Sequence, residues 1–388
     1  MVFLLYKHPN MTKIVRILLI VLLTSLQATA QTKVKVAIFA PLYIDSLFDG
    51  TNYKLGNANF PKYVLPGLEF YNGALLAIDS LKTAGKEIDF LIVDTKSTVP
   101  IQTTLQSEAF SKVSMMIAAF TNRTEAKLLA TVAYERQIPL VSATYPNDAG
   151  ITNNPFFILV NSSLKTHCEG IYKYLQRNHA VGDNIVYIKG KGAIEDMIEG
   201  YFKESARFTA SIPVKWQTLP LTDSFTAAQL CSKLDSTKNN VLVCGDVHEN
   251  FGIKLVRTLA AQKSFRCTAI GMPTWDGLKE LDKPEYKSVE IVYSTPYNYP
   301  RSVPISKALA QAYHTQWNAR PSDMVFKGYE MTLRFAQILL DHGTKTLNHL
   351  SDNNYKLFNE FDFQTVKNAF NKSQIDYLEN KKLYFIKK

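Results

Sequence analysis

Two short polar segments follow two apolar runs of the chain, at positions where proteins often hold small anions. The run SMMIAAF (114–120) leads into the turn Thr121–Thr124, and the run IPLVSA (138–143) leads into Thr144 and Tyr145. The residues between them follow a helical pattern, so the stretch predicts a strand–helix–strand unit with parallel, buried strands. Ligands bind at the carboxyl ends of parallel strands, and the free N–H groups of a helix start attract anions. We therefore predict that these polar residues form one wall of a small-molecule cleft.

The same turn also has a purely structural interpretation. Asn122 followed three residues later by Glu125 is typical of a helix cap. Arg123 has the planar fork that pairs with a carboxylate or a phosphate, but it can equally form a surface salt bridge with Glu125 or Glu135. Tyr145 presents an aromatic ring and one hydroxyl, as cleft residues often do. The residue types alone leave both interpretations open.

Further candidates stand at other expected strand ends. Trp275 lies in GMPTWDG (271–277), a loop that either offers its ring to a ligand or anchors a turn in the core. Tyr297, close to two prolines, either lines the cleft or stiffens a hinge, and Lys189 and Asp246 follow two further apolar runs. The predicted ligand-binding residues are Thr121, Asn122, Arg123, Thr124, Thr144, Tyr145, Lys189, Asp246, Trp275 and Tyr297.

Common catalytic and cofactor motifs are absent from the sequence. It contains no GxSxG, no P-loop, no HExxH and no GxGxxG after a strand. Its four cysteines match no metal-site spacing and form no CxxC pair, so we expect buried thiols, although export would permit disulfides. These cysteines are Cys168, Cys231, Cys244 and Cys267. We predict a protein that is not an enzyme, with no catalytic residue, no metal ligand and no cofactor.

The first 30 residues are typical of a secretory signal peptide. Lys13 and Arg16 precede the apolar run ILLIVLL (17–23), and Ala28–Ala30 fits the small-residue cleavage rule. The alternative, a transmembrane anchor, is disfavoured because the apolar run is shorter than the ~20 residues that span a bilayer. We expect cleavage after Ala30, a periplasmic or secreted protein and no lipid anchor, since no cysteine lies near the cleavage site. Met1 and Met11 are both possible starts.

The formal net charge of +10 does not indicate a nucleic-acid partner. The lysines are scattered, and the sequence has no Arg-rich arm and no alternation of basic and aromatic residues. A chain of 388 residues is also too long for one ordinary hydrophobic core, so two domains are expected.

The order of predicted elements indicates two α/β lobes. Residues 33–143 alternate between strands and helices of a parallel sheet, a Pro/Asn/Gly-rich crossover follows at 146–156, and a second alternating series then begins. The expected fold class is α/β, with two doubly wound parallel-sheet lobes. The expected divisions are 1–30 for the signal peptide, 31–150 for the first part of lobe 1, 151–263 for lobe 2, 264–325 for the return to lobe 1, and 326–388 for C-terminal helices and a strand shared between the lobes.

This layout resembles the type I periplasmic binding proteins, in particular the branched-chain amino-acid (Leu/Ile/Val)-binding receptors of ABC transporters. The resemblance covers nearly all of 33–388 and is carried by several motifs. These are VKVAIFAPL (34–42), PGLEFYNGALLAID (66–79), IAAFTNRTEAKLLATVAYERQIPLVSATYPN (117–147) and VLVCGDVHEN (241–250).

The resemblance implies that three crossover strands join the lobes as a hinge and that a ligand lies between them. It implies second-lobe contacts near Lys189–Gly192 and Asp246–His248, and a ligand-binding acid near Pro273–Trp275. The family's small-hydroxyl turn corresponds to Thr121–Thr124, where this chain carries the bulky Arg123. We therefore expect a related fold with a different ligand.

The resulting hypothesis is an exported solute-binding receptor for an ABC transporter. It would be a monomer that captures a small polar or anionic metabolite, amino-acid-like or another carboxylate, by lobe closure, with a permease in the inner membrane as its partner. The alternative is a cell-envelope interaction or sensor protein of the same fold, with a peptidoglycan or envelope-protein partner and no transport role.

Overall fold

A computed structural model describes residues 34–179 and 182–388 of the chain. The predicted signal peptide, residues 1–30, lies outside these described residues. Within them, no helix combines the length and the apolar character needed to cross a membrane.

The described chain alternates between strands and helices. The strands are β1 (Val34–Ala40), β2 (Phe48–Asp49), β3 (Asn52–Tyr53), β4 (Ile88–Asp94), β5 (Met115–Ala118), β6 (Leu140–Ser142), β7 (Phe157–Leu159), β8 (Asn184–Lys189), β9 (Gln217–Pro220), β10 (Asn239–Gly245), β11 (Arg266–Gly271), β12 (Val289–Thr295), β13 (Phe363–Lys367), β14 (Ile375–Asn380) and β15 (Tyr384–Lys387). The α-helices are α1 (Ile44–Leu47), α2 (Leu65–Thr83), α3 (Ile101–Leu105), α4 (Glu108–Ser111), α5 (Arg123–Arg136), α6 (Leu164–Asn178), α7 (Ala193–Phe208), α8 (Ala227–Cys231), α9 (Glu249–Ala261), α10 (Pro304–Trp317) and α11 (Asp323–His342).

Two sheets form the centres of two lobes. The first has the strand order β13-β14-β7-β6-β5-β1-β4, and the second has the order β15-β12-β11-β10-β8-β9. Every pairing in the two sheets is parallel except those of β13 with β14 and of β12 with β15. All four residues of β5 are buried, because helices cover both faces of a parallel sheet. The predicted α/β fold with two doubly wound lobes is confirmed.

Three crossover segments connect the lobes. They are residues 160–163 between β7 and α6, residues 296–303 between β12 and α10, and residues 381–383 between β14 and β15. The Ser162 hydroxyl donates to the Asn380 carbonyl at 2.7 Å, and the Asn380 amide donates to the Val160 carbonyl at 3.3 Å. These bonds join the first crossover to the end of β14, directly before the third crossover.

The return to the first lobe lies later than the sequence pattern placed it. Strands β11 and β12 belong to the second sheet, so that lobe continues to Thr295 rather than ending at residue 263. The reason is that buried parallel strands have the same apolar pattern in either sheet, so periodicity cannot assign a strand to its sheet.

Helices α2 and α11 meet at two glycines on the first lobe. A Cβ at Gly73 would lie 2.0 Å from the Val325 carbonyl oxygen, and one at Gly328 would lie 2.0 Å from the Phe70 carbonyl oxygen. The backbones therefore approach too closely for any side chain at these positions. This contact fixes the position of α11, which carries one of the cleft residues.

The four cysteines are free thiols, and Cys168, Cys244 and Cys267 are buried. Burial raises the pKa of Cys267 to about 11, so this thiol stays protonated at neutral pH.

Candidate functional site

A cavity of about 950 Å³ lies between the lobes, beside the three crossovers. Its lining comes from both lobes: the loop after β6, the start of α6, helix α7, the loops after β10, β11 and β12, helix α11, and strands β13 and β14. The carboxyl ends of several parallel strands thus meet at one cleft, which is where open α/β sheets bind ligands.

The second-lobe wall of the cavity is apolar. Ile194, Met197 and Tyr201 line it from one stripe of α7, since positions three and four residues apart share a helix face. Ile194 is 45% exposed and Met197 is 44% exposed, so these apolar surfaces are open to the cleft. This wall can contact the hydrocarbon part of a ligand.

The floor of the cavity is polar and follows β12. The Nδ1 atom of His167 lies 2.8 Å from the Ser294 hydroxyl oxygen. Burial lowers the pKa of His167 to about 4, so its imidazole is neutral at physiological pH. Tyr297 lines the same floor, and its hydroxyl donates to the Ala143 carbonyl at 2.7 Å. These groups are already bonded and form a rigid surface.

Lys327 brings a positive charge to this floor from α11. Its Nζ lies 3.8 Å from the centre of the Tyr297 ring, a cation–π contact. Among the described residues, its ammonium group has no hydrogen-bond acceptor and no ion-pair partner. Burial lowers the pKa of Lys327 to about 8, and Asp276 partly opposes that shift. The cleft therefore contains a cation whose N–H groups have no acceptor among the described residues.

Asp276 supplies a negative charge from the opposite lobe. It follows β11, and its Oδ2 accepts a hydrogen bond from the Thr295 hydroxyl at 2.8 Å. The loss of water around this carboxyl raises its pKa, while the Thr295 bond and the Lys327 charge oppose the rise. No ion pair joins Asp276 to Lys327 within the described chain. The two opposite charges thus face one cavity without neutralising each other directly.

Thr274 adds an unused hydroxyl to the same loop. Its side chain lines the cavity, and its Oγ1 is buried with no hydrogen-bond partner among the described residues. Buried polar atoms without a partner are uncommon and are costly unless something binds them. A ligand in the cleft can supply that partner.

Lys381 and Lys165, which also line the cavity, are already paired with carboxylates. Lys381 lies 2.6 Å from the Glu379 carboxylate, which also accepts bonds from the Thr166 hydroxyl and the Ser163 backbone. Lys165 lies 2.7 Å from Glu204. Lys327, Asp276 and Asp148 are the lining residues whose charges have no ion-pair partner within the described chain, and Asp148 accepts a hydrogen bond from the Tyr377 hydroxyl at 2.9 Å.

The predicted turn Thr121–Thr124 is a helix cap in the structure. The Asn122 side chain accepts from the Glu125 backbone N–H at 3.0 Å, and the Glu125 carboxylate accepts from the Thr121 backbone at 3.2 Å and from its hydroxyl at 3.1 Å. Lys96 also pairs with Glu125. Thr124 follows in the first turn of α5 and is exposed. None of these residues lines the cavity described above.

Arg123 contacts neither of the carboxylates considered from the sequence. Its Nε donates to the Ala149 carbonyl at 2.8 Å, and its guanidinium lies against Gly150. It therefore ties the start of α5 to the loop that follows β6. That loop continues from Pro146, Asn147 and Asp148, which do line the cavity.

Thr144 and Tyr145 lie just before that lining segment and are half-buried. The Thr144 hydroxyl donates to the Phe120 carbonyl at 3.3 Å, and the Tyr145 ring meets the Phe120 ring edge-on, with centroids 6.5 Å apart. They precede the lining residue Pro146 in the chain, and both make internal contacts.

Three second-lobe candidates also have internal partners. Lys189 pairs with Asp196, and that hydrogen bond raises its pKa. Asp246 is buried, and its Oδ1 accepts from the His248 backbone and lies 2.8 Å from His248 Nδ1. Trp275 is fully buried in the second-lobe core, between Gly252 and Gly271.

Of the ten predicted residues, Tyr297 alone lines this cavity. The ligand-binding role of the other nine stays a prediction. Thr274 and Lys327 were not among the residues predicted from the sequence, although Thr274 lies in the loop GMPTWDG (271–277) that the prediction included. Nothing in the sequence indicated that Lys327 faces a cleft, because a lysine inside a helix is usually solvent-exposed.

No family model and no curated protein matches this sequence. Solved structures do resemble it. A Rhodospirillum rubrum protein assigned to branched-chain amino acid ABC transport has 14% identity, covers 85% of this chain and 93% of its own, and has a TM-score of 0.63. An ABC transporter substrate-binding protein from Desulfitobacterium hafniense has 11% identity, coverages of 85% and 93%, and a TM-score of 0.54.

A substrate-binding protein from Desulfitobacterium hafniense in complex with Leu has 12% identity, coverages of 92% and 97%, and a TM-score of 0.52. Identities this low establish the fold alone. The chain has the two-lobe fold of the type I periplasmic binding proteins.

Proposed function

We propose that the protein is an exported receptor that captures a small carboxylate-bearing metabolite in the cleft between its lobes. The observation that carries this proposal is the Lys327 ammonium group, which faces the cavity with no acceptor among the described residues. An anionic ligand group would supply that acceptor, and a charge-assisted hydrogen bond of this kind contributes roughly 1.5–3 kcal/mol.

The placement of charge narrows the ligand class. Lys327 belongs to the first lobe and Asp276 to the second, and both face the cavity. A ligand carboxylate would accept from Lys327 and from the free Thr274 hydroxyl. A ligand that also carries an ammonium group would place it against Asp276. The apolar stripe of α7 would cover the hydrocarbon part of either ligand.

Contacts from both lobes favour capture by closure. A ligand held by Lys327 on one lobe and by the α7 stripe on the other would stabilise the closed state over the open one. The crossovers, the first of which is bonded through Ser162 to Asn380 at the end of β14, would act as the hinge. Closure would remove water from the charged groups and strengthen their attraction.

The likeness to ABC transporter substrate-binding proteins supports a transport role. In this proposal the mature protein works in the periplasm as a monomer, delivers its ligand to an inner-membrane ABC permease, and needs no cofactor. Thr144, Tyr145 and Asn147, at the rim of the first lobe, are proposed as further contacts in the closed state.

A thermal-shift screen of the mature chain tests the proposal. The panel contains carboxylates without an amine, zwitterionic amino acids, and matched amines without a carboxylate. We expect carboxylate-bearing compounds to raise the melting temperature, since a ligand at 100 times its Kd stabilises by about 2.7 kcal/mol. Stabilisation by the amines alone, or by no compound in the panel, would contradict the proposal.

A second candidate function, a protein-binding role at the cell envelope, is favoured by one surface. Ile44, Leu55, Phe60 and Tyr63, on the segment between β1 and α2, are each between 40% and 58% exposed. Exposed apolar side chains of this size often mark contact surfaces. Under this alternative, a Phe60→Ser/Tyr63→Ser double variant loses crosslinks to envelope proteins, and no solute in the panel stabilises the wild type.

A further inference from the structure

A second group of chemically competent side chains lies far from the cleft. His342 ends helix α11, and His349 and Asp352 follow in the next loop. Lys327 is on the same helix, 15 residues earlier, so the group lies roughly 22 Å from it along the helix axis. The cleft function does not involve these three residues.

The three side chains are close enough to share one ion. Each offers one ligand atom, and those atoms all lie within 4.8 Å of one another. The His342 and His349 rings are stacked, with centroids 3.5 Å apart and planes inclined by 4°. All three residues are half-buried, so the group is accessible from solvent but its side chains are held in place.

A tyrosine fixes which nitrogen of His342 is free. The Tyr355 hydroxyl donates its proton to the Asp341 carboxylate at 2.9 Å, and its oxygen lies 3.0 Å from His342 Nε2. Because its single proton goes to Asp341, Tyr355 accepts from His342 Nε2–H. The His342 Nδ1 then carries the lone pair. Partners of this kind orient metal-ligating histidines and set their tautomer.

The loop that carries Asp352 is held by Arg334. Its guanidinium donates to the Leu350 carbonyl at 2.8 Å and to the Asp352 carbonyl at 3.0 Å. One oxygen of the Asp352 carboxylate accepts from the Asn354 backbone at 2.8 Å. The second carboxylate oxygen is left for another partner. His349 has no side-chain hydrogen bond within the described chain, so its ring nitrogens are also available.

The surrounding charges favour a cation on balance. His342 stands at the C-terminal end of α11, where the last backbone carbonyls give a negative potential. Asp341 and Asp352 add two carboxylates. Arg334 and Lys86 oppose them, but Arg334 directs its bonds to backbone carbonyls, and Lys86 is 4.0 Å from Asp341.

We propose that His342, His349 and Asp352 bind a divalent transition-metal ion of the zinc class. Two imidazoles and one carboxylate form a donor set that suits zinc, and water would complete a four-coordinate site. Zinc lies about 2.0–2.1 Å from histidine nitrogen, so the His349 ring turns out of the stack to direct its lone pair at the ion, while Tyr355 holds the His342 ring. The ion would pin the segment Gly343–Asp352 to the end of α11.

Calorimetric titration of the mature full-length chain with zinc chloride, near neutral pH, tests this site. We expect one high-affinity ion per wild-type chain. His349→Ala and Asp352→Asn each lower the affinity at least about tenfold, whereas the matched control His314→Ala, an exposed histidine on α10, leaves it unchanged. His349→Cys restores binding through a thiolate ligand.

Tyr355→Phe tests the positioning role of the tyrosine. It removes the bond to His342 Nε2 without removing a ligand, and we expect zinc to bind about 10- to 100-fold more weakly. Cobalt(II) in place of zinc gives a visible absorption band that reports on the ligand geometry, and this band should shift in the variant. An unchanged affinity and an unchanged cobalt spectrum would overturn the tautomer argument.

Two results would overturn the site itself. One is a wild-type chain that binds no zinc at micromolar concentration while its melting curve shows a folded protein. The other is zinc binding that His248→Ala abolishes and that a His342→Ala/His349→Ala double variant retains. That second result would assign the ion to Glu195, Asp246 and His248 at the second-lobe strand ends, whose ligand atoms also lie within 4.8 Å of one another.

Discussion

Two polar edges of the molecule look alike in sequence and differ in structure. One is the start of α5, where Thr121, Asn122 and Arg123 follow a buried strand. The other is the loop after β11, where Thr274 and Asp276 line the same cavity as Lys327. At the first edge, the Asn122 carbonyl, the Thr121 hydroxyl and the Arg123 Nε all have internal partners. At the second edge, the Thr274 hydroxyl has no hydrogen-bond partner among the described residues, and the contact shown for the Lys327 ammonium is with the Tyr297 ring.

The difference teaches that a polar residue at a strand end is a stronger ligand candidate when some of its hydrogen-bonding groups are unused. Capping of a helix uses the same residue types as anion binding, because both satisfy the free N–H groups of the first turn. Composition therefore cannot separate the two roles. The hydrogen-bond partners found in the structure do separate capping from ligand binding.

The largest expected effect on ligand affinity comes from removing the positive charge of Lys327. Lys327→Met keeps a side chain of similar length but deletes the charge and its three donors. We expect the affinity for a carboxylate ligand to fall about 100-fold, the equivalent of about 3 kcal/mol, which is the upper range for a charge-assisted bond. Isothermal titration calorimetry with a carboxylate from the screen measures the change.

The control for this variant is the melting temperature of the ligand-free protein. Lys327 makes no ion pair in the described chain and its burial opposes its charge, so the apo variant should melt at the same temperature or higher. An affinity within twofold of wild type would show that Lys327 does not bind the ligand. The loop after β11 would then be no better a ligand-binding candidate than the start of α5.

A smaller effect on the affinity for a carboxylate ligand is expected from a change in pH. The pKa of Lys327 is about 8 in the free protein, and the anion-binding form is the protonated one. Affinity should therefore be constant from pH 6 to 7 and decline above pH 8, approaching tenfold per pH unit until the ammonium is lost. A carboxylate without an amine is the appropriate ligand, since its own charge stays constant over this range.

The same titration on Lys327→Met should show no decline above pH 8. If wild type and variant share one pH profile, another group controls binding. His167 is not that group in this range, because its imidazole has a pKa of about 4 and is neutral throughout.

Sequence patterns recovered most of the fold for a physical reason. Buried parallel strands such as β5 are continuous apolar runs, and their order with helices defines the two-lobe class. Strand β13 was missed because it is largely exposed at the edge of its sheet and has no apolar run. The late return to the first lobe was missed because both sheets use the same kind of strand.

The site was harder to predict, because it depends on contacts between distant segments. Thr274 and Lys327 are 53 positions apart, belong to different lobes and line one cavity only because the two lobes face each other there. Tyr297 was recognised because prolines around it marked a shaped segment. His342 and His349 escaped notice because their spacing matches no common metal motif, and the tautomer depends on Tyr355 in a later turn.

The smallest effect is expected at the first edge, where Arg123→Ala tests whether its polar groups are fully used. The variant loses the bond from Nε to the Ala149 carbonyl, so the free energy of unfolding should fall by about 1 kcal/mol. Ligand affinity should stay within twofold of wild type, because Arg123 does not line the cavity. Denaturant unfolding and calorimetry on the same preparation measure both quantities. The opposite pattern, unchanged stability with lost affinity, would mean that closure brings Arg123 to the ligand, and the two edges would then form a single site.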